Sequence, residues 1–238
     1  MSPALLGART VSGSSAELRS RAGSFTTRKV LRLLAPWSLA PFVTVLELRE
    51  AAWPTGWNGD RTGLITISGL EPGFGVLAPT GEAGPASVEE HLAQVLERKP
   101  TEWLSEMVNN PACQASIVSQ LHGPSLHYVG DADTCRLALL QAAAWLESET
   151  VDGVVVVAFD DGDRPADTDT DTDTDVAAAD TTESPLRQSA GVALGRGDIA
   201  AMDDVDRLTG GRGTPGTAIE AMTALVTALE PTAPRQTD

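Results

Sequence analysis

Apolar and polar positions along the chain change period several times, and each change marks an element. From Arg28 to Trp53, "RKVLRLLAPWSLAPFVTVLELREAAW" places Val30, Leu33, Leu34 and Trp37, then Phe42, Val45, Leu46 and Leu48, at helical spacing. Pro36 and Pro41 interrupt it, which predicts a short helix, a turn and a longer helix from about Leu39 to Ala52. "WPTGWNGD" is a turn cluster, and "RTGLITISGL" is a strand leaving through glycine. After the Gly- and Pro-rich "EPGFGVLAPTGEAGP", Ser87 and Glu90 form a capping box for an amphipathic helix carrying Val88, Leu92, Val95 and Leu96. "PTEWLSEMVNNPACQASIVSQL" reads as a loop and a helix of small residues.

Further on, "GPSLHYVGDADTCRLALLQAAAWL" reads as a strand, a sharp turn and a helix. "VDGVVVVAFDD", with Val151 and Val154 to Val157, has the unbroken apolar run of a strand buried on both faces. "LRQSAGVALGRGD" is one more strand, and the glycine-rich segment to Gly216 is a loop. The last helix carries Ala218, Ile219, Met222, Leu225, Val226 and Leu229 on one face. Alternating helices and strands of this kind imply an α/β layer fold.

A chain of 238 residues can bury a proper core. Its formal net charge of −16 argues against nucleic acid or an anionic membrane as a direct partner. Part of that charge lies in the Asp-Thr run from Asp167 to Asp175, where alternating like charges cannot pack, so residues 161–185 are expected to be a disordered insertion. The run lacks the turn glycine and the bidentate glutamate of a calcium loop. No apolar stretch approaches the ~18 residues of a membrane span. "MSPALLGARTVSGSSAELRSRAGSF" lacks the apolar core of a secretory signal, so residues 1–27 are expected to be poorly ordered and residues 231–238 a tail. The two cysteines fit no metal or redox spacing, and a cytoplasmic protein is expected.

Candidate chemistry is sparse. His91, His122 and His127 form no paired-ligand spacing, and no metal site is expected. No G-x-S-x-G elbow or strand–GxGxxG–helix unit is present, and no cofactor is expected. One question remains, at the start of the helix in "GDADTCRLALL". A helix N-terminus activates thiols, so Cys135 is either a nucleophile or a small core residue.

The segment "GPSLHYVGDADTC", with "NNPACQASIVSQLHGPS" before it and "RLALLQAAAWLESETVDGVVVVAFDD" after it, resembles the N-terminal half of the β-ketoacyl synthases of the thiolase fold. "RTGLITISGL" is similar to that family's first strand, and the resemblance covers roughly residues 28–200. It implies a thiolase-like half-domain over 28–230, with helices layered on a mixed five-stranded sheet. It also implies that Leu126, His127, Tyr128 and Val129 lie on an edge strand at a two-fold interface, and that Gly130, Asp131, Ala132 and Asp133 form the nucleophile turn.

The departures from the family are chemical. Counted from Gly123, the family's cysteine position falls on Ala132, which carries no nucleophile. The two histidines the family requires belong to a second half that these residues do not resemble. Cys135 is one turn along, about 4.5 Å down the axis, and Asp131 and Asp133 beside it disfavour a thiolate. Three readings follow. The first is a non-catalytic half-domain acting as a partner subunit in fatty-acid or polyketide assembly. It would form a homodimer or a heterodimer with a full-length ketosynthase, with an acyl carrier protein as a further partner. The second is an acyltransferase or condensing enzyme using Cys135 with carrier-protein or coenzyme A thioesters. The third is a degenerate chain without a pathway role.

Overall fold

The computed structural model describes residues 3–53, 56, 58–69, 93, 97, 99–160, 187–196 and 216–229. The strands are β1 (Pro3–Gly13), β2 (Thr62–Ser68), β3 (Ser125–Val129), β4 (Gly153–Asp160) and β5 (Arg187–Arg196). The helices are α1 (Ser15–Phe25), α2 (Arg28–Leu31), α3 (Leu39–Ala52), α4 (Pro100–Glu106), α5 (Asn110–Ser119), α6 (Ala132–Glu147) and α7 (Ala218–Leu229). The capping-box helix expected near Ser87 and the Asp-Thr run lie outside the described residues.

The strands form one mixed sheet in the order β1-β5-β4-β2-β3. β2 pairs in parallel with β3 and β4, while β5 runs antiparallel to both β4 and β1. The two parallel joins are made by helical crossovers, α4–α5 between β2 and β3 and α6 between β3 and β4. The sheet therefore carries a helical layer on each face. Val154, Val156 and Ala158 of β4 pack with α6 and α7, and Val155 and Val157 pack with α1, α3 and α5. Burial on both faces is what the valine run requires, at about 1.5–3 kcal/mol per side chain removed from water.

One sequence expectation is corrected here. Residues 3–25 are not poorly ordered: β1 is the edge partner of β5, and α1 buries Leu18 and Ala22 against α3. Ser14 and Glu17 close a capping box at the start of α1. Accordingly "RTGLITISGL" is the second strand of the chain.

α6 approaches the sheet through small residues. Cys135, Ala138, Ala142 and Ala143 face inward with Leu139 and Leu146, and Gly63 on β2 leaves room for the Trp145 ring, which a Cβ there would meet at 2.9 Å. The start of β3 is fixed as tightly. The His122 and Gly123 N–H groups both donate to Gly59 O, at 3.0 and 3.1 Å, and a Cβ on Gly123 would collide with the Thr62 carbonyl. Between α3 and β5, the Thr44 hydroxyl pairs with Ser189 at 2.5 Å and donates to Ala40 O at 3.0 Å, so these buried polar groups are satisfied.

Candidate functional site

The turn between β3 and α6 stands at the C-terminal edge of the parallel strands. Gly130 donates its N–H to Ser68 O at 3.0 Å, and it is glycine because a Cβ would collide with Thr134. Asp131 caps α6: its Oδ1 accepts from the N–H groups of Asp133 (3.1 Å) and Thr134 (3.3 Å), and from the Thr134 hydroxyl (3.4 Å).

Ala132, the first residue of α6, is buried, and its N–H donates to Gly216 O at 3.2 Å. Asp131 and Thr217 form an isolated antiparallel bridge that joins the starts of α6 and α7. Thr217 in turn caps α7 reciprocally with Glu220, at 2.8 and 3.2 Å. The Cys135 N–H completes the set by donating to Asp131 O at 3.1 Å. The N–H groups of Ala132, Asp133 and Thr134, which have no partner inside the helix, are thus engaged elsewhere in the chain, and two carboxylates sit where a helix dipole would otherwise favour an incoming anion. The Thr217–Glu220 capping box is legible as a T-x-x-E pattern, but nothing local to it signals contact with residue 132.

Cys135 lies on the same inward face as Ala132, fully buried among Ile65, Ile67, Ala138 and Leu139. Burial pushes its thiol up to about 12, so it stays protonated at pH 7. Cys113 on α5 is exposed.

Among the described residues β3 forms one edge of the sheet, with β2 as its one strand neighbour. Its side chains alternate. Tyr128 packs with the α6–α7 layer, on which side Leu126 also lies. His127 turns to the opposite face, where Nδ1 pairs with Thr66 Oγ1 at 2.9 Å and Nε2 with Ser68 Oγ at 3.3 Å. Its ring lies 6.2 Å from that of Phe159, which stacks on Trp37 at 6.1 Å. Burial lowers its pKa to about 4, so the ring is neutral at physiological pH. Leu126 and Val129 are 36% and 48% exposed, and on the outer face of α6 Leu137 and Leu140 are 55% and 40% exposed. These two leucines were not singled out from the sequence, because their spacing merges with the inward stripe of the same helix.

His122 is exposed and pairs with Asp60 at 2.7 Å, while His91 lies outside the described residues. Among the described residues there is no cluster of three metal-ligating side chains, and no helix is long and apolar enough to cross a membrane.

Sequence comparison finds no matching family model and no matching curated protein. Comparison of structures does find neighbours. The complex of a type II polyketide acyl-carrier protein with its ketosynthase, AntDE:AntF, superposes with a TM-score of 0.54 at 11% identity, over 85% of this chain and 64% of the other. The ishigamide ketosynthase/chain length factor gives 0.53 at 12% identity, over 97% of this chain and 82% of that one. The ketosynthase ApeO with its chain length factor ApeC, from Xenorhabdus doucetiae, gives 0.50 at 14% identity, over 83% and 80%. The chain thus spans less than two thirds of the first of these and about four fifths of the other two. It has the α/β fold of the ketosynthases and chain length factors, built on a mixed five-stranded sheet.

Proposed function

We propose that this chain is a non-catalytic, ketosynthase-like half-domain that serves as the partner subunit of a full-length ketosynthase in polyketide or fatty-acid assembly. One observation carries the reading. The helix start that would present a nucleophile holds Ala132, the N–H groups of Ala132, Asp133 and Thr134 are taken up within the chain, and the one thiol nearby is sealed in the core. Stabilising an acyl oxyanion needs free donors aimed at the reacting carbonyl, and α6 has none to offer. An acyltransferase working through Cys135 would need a thiolate that burial opposes.

The partner role draws support from the surface. A strand that is a sheet edge among the described residues, with exposed Leu126 and Val129 and beside a helix that exposes Leu137 and Leu140, is what a protein leaves when a neighbour covers it. The neighbours' own descriptions name a ketosynthase together with a chain length factor or a carrier protein. In this reading the chain shapes a shared acyl cavity, and an acyl carrier protein visits the assembled pair.

The test is native mass spectrometry of the chain co-expressed with a full-length ketosynthase of the same organism. A one-to-one complex is expected, lost in Leu126→Lys/Val129→Lys while the variant keeps its circular dichroism. Two species that never associate, or a homodimer in place of the mixed complex, would overturn the proposal.

A further inference from the structure

Charge is segregated along this chain. Residues 1–53 carry seven Arg and Lys against three Glu, whereas the remaining residues carry ten against thirty Asp and Glu. The positive excess gathers around α1 and α2. Arg28, Lys29 and Arg32 are all exposed, and none of the three ion-pairs with an acidic side chain among the described residues. Arg19 adds its charge nearby, since its guanidinium donates to Leu31 O at 2.8 Å and Leu34 O at 3.3 Å at the end of α2. Arg21, in contrast, is held by Glu47 at 2.6 Å. Arg28 and Arg32 stand one helical turn apart, where like charges repel and gain nothing for the fold. Half-buried Phe25, Val30 and Leu33 lie among them in the chain, so the face combines cations with apolar contact area.

We propose that the α1–α2 face is a docking surface for an acidic polypeptide. Charge complementarity argues for a compact partner of this kind. An extended polyanion such as nucleic acid or an anionic membrane would also have to meet the strongly acidic remainder of the chain. A polypeptide segment meets only the patch, because charges beyond about 8 Å are screened at physiological salt. The same asymmetry steers an acidic partner onto this face. The surface stands beside β1, at the opposite sheet edge from β3. It therefore goes beyond the ketosynthase-partner reading and does not depend on it.

A fluorescein-labelled octaglutamate peptide, followed by fluorescence anisotropy with the full chain, tests this. Binding is expected at low salt and should weaken roughly tenfold or more at about 0.3 M NaCl. Arg28→Gln/Lys29→Gln/Arg32→Gln should weaken it by a similar factor with the thermal midpoint unchanged, and Arg9→Gln should leave it unaltered. Lys29 and Lys99 are the only lysines, so zero-length carbodiimide coupling on the unmodified chain gives a second readout. Coupling of the probe to Lys29 and not to Lys99 supports the proposal. Absence of binding, binding indifferent to the triple change, or coupling of Lys29 to the chain's own Asp167–Asp175 run in place of the probe overturns it.

Discussion

Cys135 and His127 show how burial settles what a reactive side chain does. Cys135 is the only thiol near the turn, yet it is fully buried and held neutral. Removing its sulfur should act as a small core deletion. Cys135→Ala is expected to lose about 1 kcal/mol in urea unfolding, and a loss near zero would mean the residue is not packed as described.

His127 gives a pH signature. Its folded value is about 4 against 6.5 when exposed, so below 6.5 the unfolded chain takes up a proton that the folded chain refuses. The stabilisation is complete above pH 6.5 and is lost as the pH falls toward 4, by roughly 3 kcal/mol in total. His127→Gln should flatten that part of the stability profile while keeping a link to Thr66 or Ser68. From sequence, a histidine in a strand is legible as a core or interface residue. Its hydroxyl partners are not, because they lie on β2, about sixty positions earlier.

At the scale of elements, local rules read correctly wherever packing reinforced them. Helix α3 runs from Leu39 to Ala52 as the proline-broken periodicity predicts, and α7 buries Ala218, Ile219, Met222, Leu225 and Val226 as its stripe predicts. The N-terminal segment failed for a physical reason. β1 shifts register between Leu5 and Gly7, so Leu5 and Ala8, three positions apart, pack on the same face while Val11 packs on the other, and the period of two is broken. The Ser14–Glu17 capping box of α1 was present but unread, masked by the arginines and serines around it.

Two element-scale changes test the site's scaffold. Asp131→Ala removes the α6 cap and should cost about 1 kcal/mol in urea or thermal unfolding. Gly123→Ala drives a Cβ into the Thr62 backbone at the start of β3, which cannot yield as a flexible side chain would. It should cost about 1–3 kcal/mol or more. Equal stability in either variant would contradict the geometry of the β3–α6 unit.

For the whole molecule, the three-layer fold was legible in the order of elements, and the ketosynthase-like chain of segments pointed to its topology. The engagement of the Ala132 N–H was not legible, because the carbonyl that accepts it belongs to Gly216, more than eighty residues later. In the proposed reading, that closure adds to the absence of a nucleophile at Ala132. It predicts that Ala132→Cys by itself does not create a fast-reacting thiol, as seen by iodoacetamide labelling at neutral pH.

The most direct measurement is intact-mass spectrometry of the Cys113→Ser chain after brief exposure, at neutral pH, to a thiol-reactive acyl-thioester mimic, with Cys135→Ala as the control. A thiol sealed in the core gives no adduct on the folded protein and is fully modified once the chain is denatured. Rapid adduct formation on the folded protein, lost in Cys135→Ala, would contradict it and identify an acyl-transfer enzyme.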